Sequence, residues 1–267
     1  MNIRFFSLLT AAGILLLTSC AKDDQENLDS AIASTDALAR TSDDAVEELV
    51  DELVFRSDSD EVVLPACVEV TDSGPGVYPR LVTLDFGAGC TDAAGRTRTG
   101  MMHVSISAPW TAVGSLREVT FEDFTVTRPM QEVAIGIAGS RLLERLDPGA
   151  DGESRWARNI NTTLTHPDFT VDRTLSGIRR WVAGEGDPDA DQIFGLTGSG
   201  SHARNGFERI RTILEEVLFD QTCGEPTAGV VLIDRPLLED ATLDYGDGSC
   251  DGVATLSAGG EELVIDL

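Results

Sequence analysis

The chain has 267 residues and a formal net charge of −26, from 46 acidic and 20 basic side chains. A chain this acidic repels phosphate backbones and anionic bilayer surfaces, so no nucleic-acid partner is expected, and cations, neutral ligands or basic surfaces remain. Apolar residues make up 42%, enough for a packed core. Lys22 is the only lysine and the other basic residues are arginines, a bias that codon usage and adaptation to salt explain equally well at this level.

The chain opens MNIRFFSLLTAAGILLLTSC. Arg4 supplies a positive start, and the apolar run from Phe5 to Leu17 is too short to span a bilayer but suits a signal peptide. Leu17-Thr18-Ser19-Cys20 resembles the lipobox of bacterial lipoproteins, whose cysteine carries the lipid. Residues 1–19 are therefore expected to be removed, and Cys20 to be acylated and to form the membrane contact. More than one acyl chain makes such an anchor stable. Lys22-Asp23-Asp24 resembles the surface-export tag of Bacteroidota lipoproteins, so the expected location is the outer membrane with display at the cell surface.

Residues 20–61 read as an acidic tether. Within it, residues 43–55 (DDAVEELVDELVF) carry Val46, Leu49, Val50, Leu53 and Val54 on one helical face. Asp43 and Asp44 suit the positive end of such a helix. The tether is expected to be a spacer helix resting on the domain, or partly disordered; a partner-docking helix is the other reading.

From residue 62 the texture becomes that of strands. Thr99 to Ala108 alternates Met102, Val104, Ile106 and Ala108 against Met101, His103, Ser105 and Ser107. In Val119 to Val126 the alternation breaks at Glu122-Asp123, where a bulge would put Phe121 and Phe124 on the same side. Similar runs, separated by Gly, Pro, Asn and Asp clusters, continue to Leu267, with Phe207 to Leu218 ambiguous between strand and helix. The expected fold class is all-β: residues 62–267 form one domain, an extended antiparallel meander curled into a sandwich or half-open barrel.

Besides Cys20, four cysteines remain, an even count that reads as two disulfides in an exported protein. Cys67 with Cys90, and Cys223 with Cys250, each flank a hairpin-like segment at nearly equal distances from its turn. Pairing them would close two loops worth roughly 3 kcal/mol each in the loop-entropy model. Thr83 to Cys90 (TLDFGAGC) and Thr242 to Cys250 (TLDYGDGSC) are near copies, with Phe86 and Tyr245 as equivalent core anchors. These two segments, with Gly95-Arg96-Thr97-Arg98-Thr99-Gly100 and Asp251, resemble a family of uncharacterised Bacteroidota lipoproteins. The resemblance implies an all-β lipoprotein and brings no catalytic residues with it.

Calcium is the metal to consider. Asp187, Asp189 and Asp191 alternate as oxygen ligands do, and Asp244, Asp247 and Asp251 form a second group. Neither is an EF-hand, and turns that use aspartate for local backbone hydrogen bonds are the simpler reading of both. His103, His166 and His202 lack zinc spacing, and Gly198-Ser199-Gly200-Ser201-His202 reads as a flexible turn, not a nucleophile elbow. Trp110, Trp156 and Trp181 are core or a glycan-binding row. The overall reading is a non-catalytic binding or structural role. The alternatives are a carrier of apolar ligands, with a cavity lined by Met102, Val104, Phe121 and Phe124, and a secreted hydrolase. A cleft of converging, desolvated carboxylates would favour the last.

Overall fold

The structure is a computed structural model. It describes helical positions Ile32, Thr35, Asp36, Leu38, Ala39, Ser42, Asp43, Val46, Glu47, Leu49, Val50, Asp51 and Leu53, and residues 64–74, 76–128, 133–185, 192–236 and 238–267. Two compact units are present, Met1–Ser34 and Thr35–Leu267. Of the first, only Ile32 is described. Cys20, Lys22, Asp23, Asp24, Asp187, Asp189 and Asp191 lie outside the described residues.

Among the described residues of the second unit, fourteen strands form one antiparallel sheet. In chain order they are β1 (Glu69–Asp72), β2 (Arg80–Asp85), β3 (Cys90–Thr91), β4 (Thr97–Ile106), β5 (Leu116–Thr127), β6 (Ile135–Arg145) and β7 (Arg155–His166), followed by β8 (Phe169–Ala183), β9 (Ile193–Arg204), β10 (Phe207–Asp220), β11 (Glu225–Asp234), β12 (Ala241–Asp247), β13 (Val253–Ala258) and β14 (Glu261–Asp266). Each pairs with its neighbour in sequence, except that β2 pairs with β4 and β3 is a short flap on β4. β1 and β14 do not pair, so the sheet is a meander that does not close into a barrel. The all-β expectation holds, with one curved sheet instead of a sandwich.

The alternation predicts the inner face well. Met102, Val104 and Ile106 are buried and Ser105 and Ser107 are exposed. The β5 bulge falls where the pattern breaks: the register of β4 against β5 slips between Thr99 and Met101, Asp123 takes φ 50°, and Phe121 and Phe124 pack with ring centroids 5.4 Å apart. The ambiguous segment is a strand, β10. One reading is corrected. Gly198 to His202 is not a turn but the middle of β9, paired through Gly177↔Gly198 and Leu175↔Gly200 to β8. A Cβ on Gly177 would run into the carbonyl of Thr197, and one on Gly198 into that of Ser176. Only glycine allows the two strands to approach this closely and the sheet to bend there.

The second compact unit begins at Thr35, ahead of residue 62 where the sequence texture changes. The helix is part of the fold. Leu38, Ala39, Val46, Leu49, Val50 and Leu53 form one core cluster with Val82, Leu84, Met102, Val104, Val119, Val126 and Leu164 from the sheet. The apolar face read from the sequence therefore packs on β2 to β8. An isolated helix of this length is marginal in water, and burial of that face is what fixes it.

Both cysteine pairs are disulfides, Cys67–Cys90 and Cys223–Cys250, with Sγ–Sγ distances of 2.00 and 2.12 Å. The first closes the open end of the β1–β2 hairpin and the second that of the β11–β12 hairpin. The twin segments share one local solution. Leu84 and Phe86 are buried, as are Leu243 and Tyr245. The Asp85 carboxylate accepts from the Gly87 amide at 2.7 Å and Asp244 from Gly246 at 2.9 Å, with both glycines at positive φ. Each strand ends in a turn folded around its own aspartate.

Candidate functional site

Among the described residues ten arginines are buried, all but one of them in strands. On β8 the inward positions include Val171, Arg173, Arg179 and Trp181, so a hydrophobic strand pattern is interrupted by guanidinium groups. Most of those on the inner face meet the acidic side of the helix. Arg173 grips Asp43 through both nitrogens, 2.7 Å each. Arg141 and Arg158 converge on Glu47 at 2.6 and 2.9 Å. Arg179 donates to Asp51 at 2.7 Å, with Arg117 at 3.9 Å from the same carboxylate. Arg211, on β10, pairs with Asp36. The partners of the helix acids come from β5, β6, β7, β8 and β10.

Burial acts against every one of these charges. It would raise the Asp43 carboxyl, but Arg173, Arg141 and Arg158 hold it far below the usual carboxylate range. The same balance keeps Glu47 low, through Arg158, Arg179 and Arg141. Burial pushes the Arg117 guanidinium down to about 10 despite Asp51. His202 is held neutral by burial and by the nearby Arg211 and Arg173 cations. Arginine, unlike lysine, offers a planar fork that satisfies a carboxylate while desolvated, and this gives the arginine bias a structural reason.

Beside this network lies a cavity of about 620 Å³, within the range of small-molecule sites. Its lining mixes apolar side chains, among them Phe194, Leu196, Ile213, Val217, Phe219 and Val231, with charged ones. Of the arginines in the lining, Arg158, Arg173 and Arg211 pair with Glu47, Asp43 and Asp36 beside them, Arg96 with Asp92 and Arg179 with Asp51. The Arg179 guanidinium also lies 3.6 Å over the Phe194 ring, so charged and apolar groups adjoin. His202, Gln221 and Tyr245 add further polar groups.

The sequence-derived candidates fall elsewhere. Met102, Val104 and Phe124 are sealed in the core beneath the helix and do not line the cavity, and neither does Phe121; the cavity lies toward β8 to β12. Trp110, Trp156 and Trp181 form an internal cluster, with Trp156 centroids 6.5 and 6.0 Å from the other two and the Arg145 guanidinium 4.8 Å above Trp156. They are not an exposed row. Asp244, Asp247 and Asp251 each accept from a nearby amide, those of Gly246, Ser249 and Val253. Among the described residues no three His, Cys, Asp or Glu side chains gather as a metal site. The inward arginines were missed because a single arginine on a strand reads as solvent-facing. The signal was present in the sequence: acids at positions 36, 43, 47 and 51 recur on one helical face, beside the valines and leucines.

No family model, curated protein or solved structure matches this chain. The class defined by its architecture is an open antiparallel meander with an internal helix and an amphipathic cavity.

Proposed function

We propose that this is a lipid-anchored envelope protein that binds a small amphipathic ligand in the cavity between the acidic side of its helix and β8 to β12, without catalysis. The observation that carries the binding role is the cavity itself: a volume of about 620 Å³ lined by apolar side chains together with paired charged ones. Cys20 within its lipobox, and the two disulfides, support export to an oxidising compartment and attachment at the outer membrane. Lys22, Asp23 and Asp24 support display at the cell surface, as in the lipoproteins the sequence resembles.

The test uses the mature chain and a neutral apolar fluorophore, N-phenylnaphthylamine. One equivalent binds, and Leu196→Trp, which fills the cavity from β9, abolishes binding while leaving the melting temperature near that of the wild type. Unchanged binding in Leu196→Trp would reject the cavity as the site. Incorporation of labelled palmitate, lost in Cys20→Ser, tests the anchor.

A further inference from the structure

We infer that the cavity takes a single-chain amphiphile whose head is a carboxylate, a fatty acid in class, and that this head binds Arg211 in exchange for Asp36. The inference rests on the cavity being a binding site and names what enters it.

The ion pairs along the helix are not equal. Asp43 uses both oxygens on Arg173, and Asp51 faces both nitrogens of Arg179 at 2.7 and 3.4 Å. Asp36 holds Arg211 through Oδ1, while its Oδ2 is buried without a hydrogen-bond partner among the described residues. A buried acceptor left unpaired is costly, so this clamp gives up least when it opens. Arg211 is also the accessible member of the row. Its side chain is 18% exposed, against 2–5% for Arg141, Arg158, Arg173 and Arg179. Arg211 lines the cavity and hydrogen-bonds to Tyr245, which lines it too. His202 lies with Nδ1 3.9 Å from the Asp36 carboxylate and offers a second, neutral donor there.

The tail has a path on the same strand. Ile213, Val217 and Phe219 follow Arg211 along β10, with Val231 paired to Ile213 on β11. From Arg211 to Phe219 the strand extends roughly 25 Å at its usual rise, room for a medium-length alkyl chain. Asp36 itself shows what the head must be: a planar group with one negative charge and two oxygens, matched to a guanidinium fork.

Isothermal titration of the mature chain with dodecanoate, dodecanol and dodecyltrimethylammonium, below their micelle concentrations, separates head from tail. Dodecanoate binds one to one and about tenfold tighter than dodecanol, as a charge-assisted hydrogen bond predicts, and the ammonium binds weakest. Asp36→Asn removes the competing carboxylate and tightens dodecanoate several-fold while leaving dodecanol unchanged; Arg211→Gln erases the preference. Equal binding of dodecanoate and dodecanol, with no gain in Asp36→Asn, overturns the carboxylate assignment and leaves the cavity reading intact. Binding of neither chain to the folded protein overturns both.

Discussion

One helix meets two halves of the sheet on opposite terms. Toward β2 to β7 its valines and leucines close against Val82, Leu84, Met102, Val104 and Val119, and the space is filled. Its other side presents Asp36, Asp43, Glu47 and Asp51 to arginines on β5 to β8 and β10, and a cavity remains beside them toward β8 to β12. The difference follows from what each surface needs. Apolar faces gain by excluding all space between them. Fixed ion pairs gain by keeping their geometry, and space is left beside them. The first half supplies stability and the second supplies room.

The largest effect expected on this contrast is at its boundary. Asp43→Ala leaves Arg173 buried without its carboxylate and should cost about 3–5 kcal/mol, read as a lowered midpoint in urea. A loss below about 1 kcal/mol would mean that the pair behaves as a surface salt bridge. Next, one substitution in each half compares filled with unfilled volume. Leu49→Ala should cost about 2–4 kcal/mol, and Leu196→Ala, at the cavity wall, clearly less than that lower figure. Equal losses would show that the two halves are packed alike.

A smaller effect comes from pH. His202 faces Asp36 and Asp43 from the helix, Arg173 from β8 and Arg209 and Arg211 from β10. It stays neutral in the folded protein, whereas the unfolded chain takes up a proton near the ordinary histidine value of 6.5. The unfolded state therefore binds more protons as pH falls below that value, and stability falls with it. Asp43 and Glu47, held below their ordinary values of 3.8 and 4.5, add a second loss as pH drops below those values. Melts recorded from pH 8 to 3 should show both stages, and His202→Gln should remove the first alone. The smallest change lies far from the helix. Asp85→Ala and Asp244→Ala, each removing a side-chain bond to a turn amide, should cost about 1 kcal/mol apiece and should add in the double variant.

The sequence was most legible where period and composition agree. Alternation located the inner faces of β4 and β5, the break at Glu122-Asp123 located the bulge, and the spacing of the cysteines about their turns matched the disulfides. The apolar face of the helix was readable from Val46 to Leu53. Its destination was not, because the surface it covers is assembled from strands tens of residues apart in the chain. The glycine-serine run in β9 was misread since glycine signals both turns and sharply bent strands, and only the pairing with β8 distinguishes them. The cavity was unreadable for the same reason: Arg211, Phe194 and Asp36 are neighbours only once the sheet has curved around the helix.

The most direct test is a thermal melt of the chain begun at residue 62, where the sequence texture changes, beside the whole mature chain. The account predicts that the shortened chain loses its cooperative transition, because the core beneath the helix is uncovered and the arginines from β5 to β10 lose their carboxylates. A cooperative melt at an unchanged temperature would contradict it, and would mean that the sheet holds its arginines without the helix.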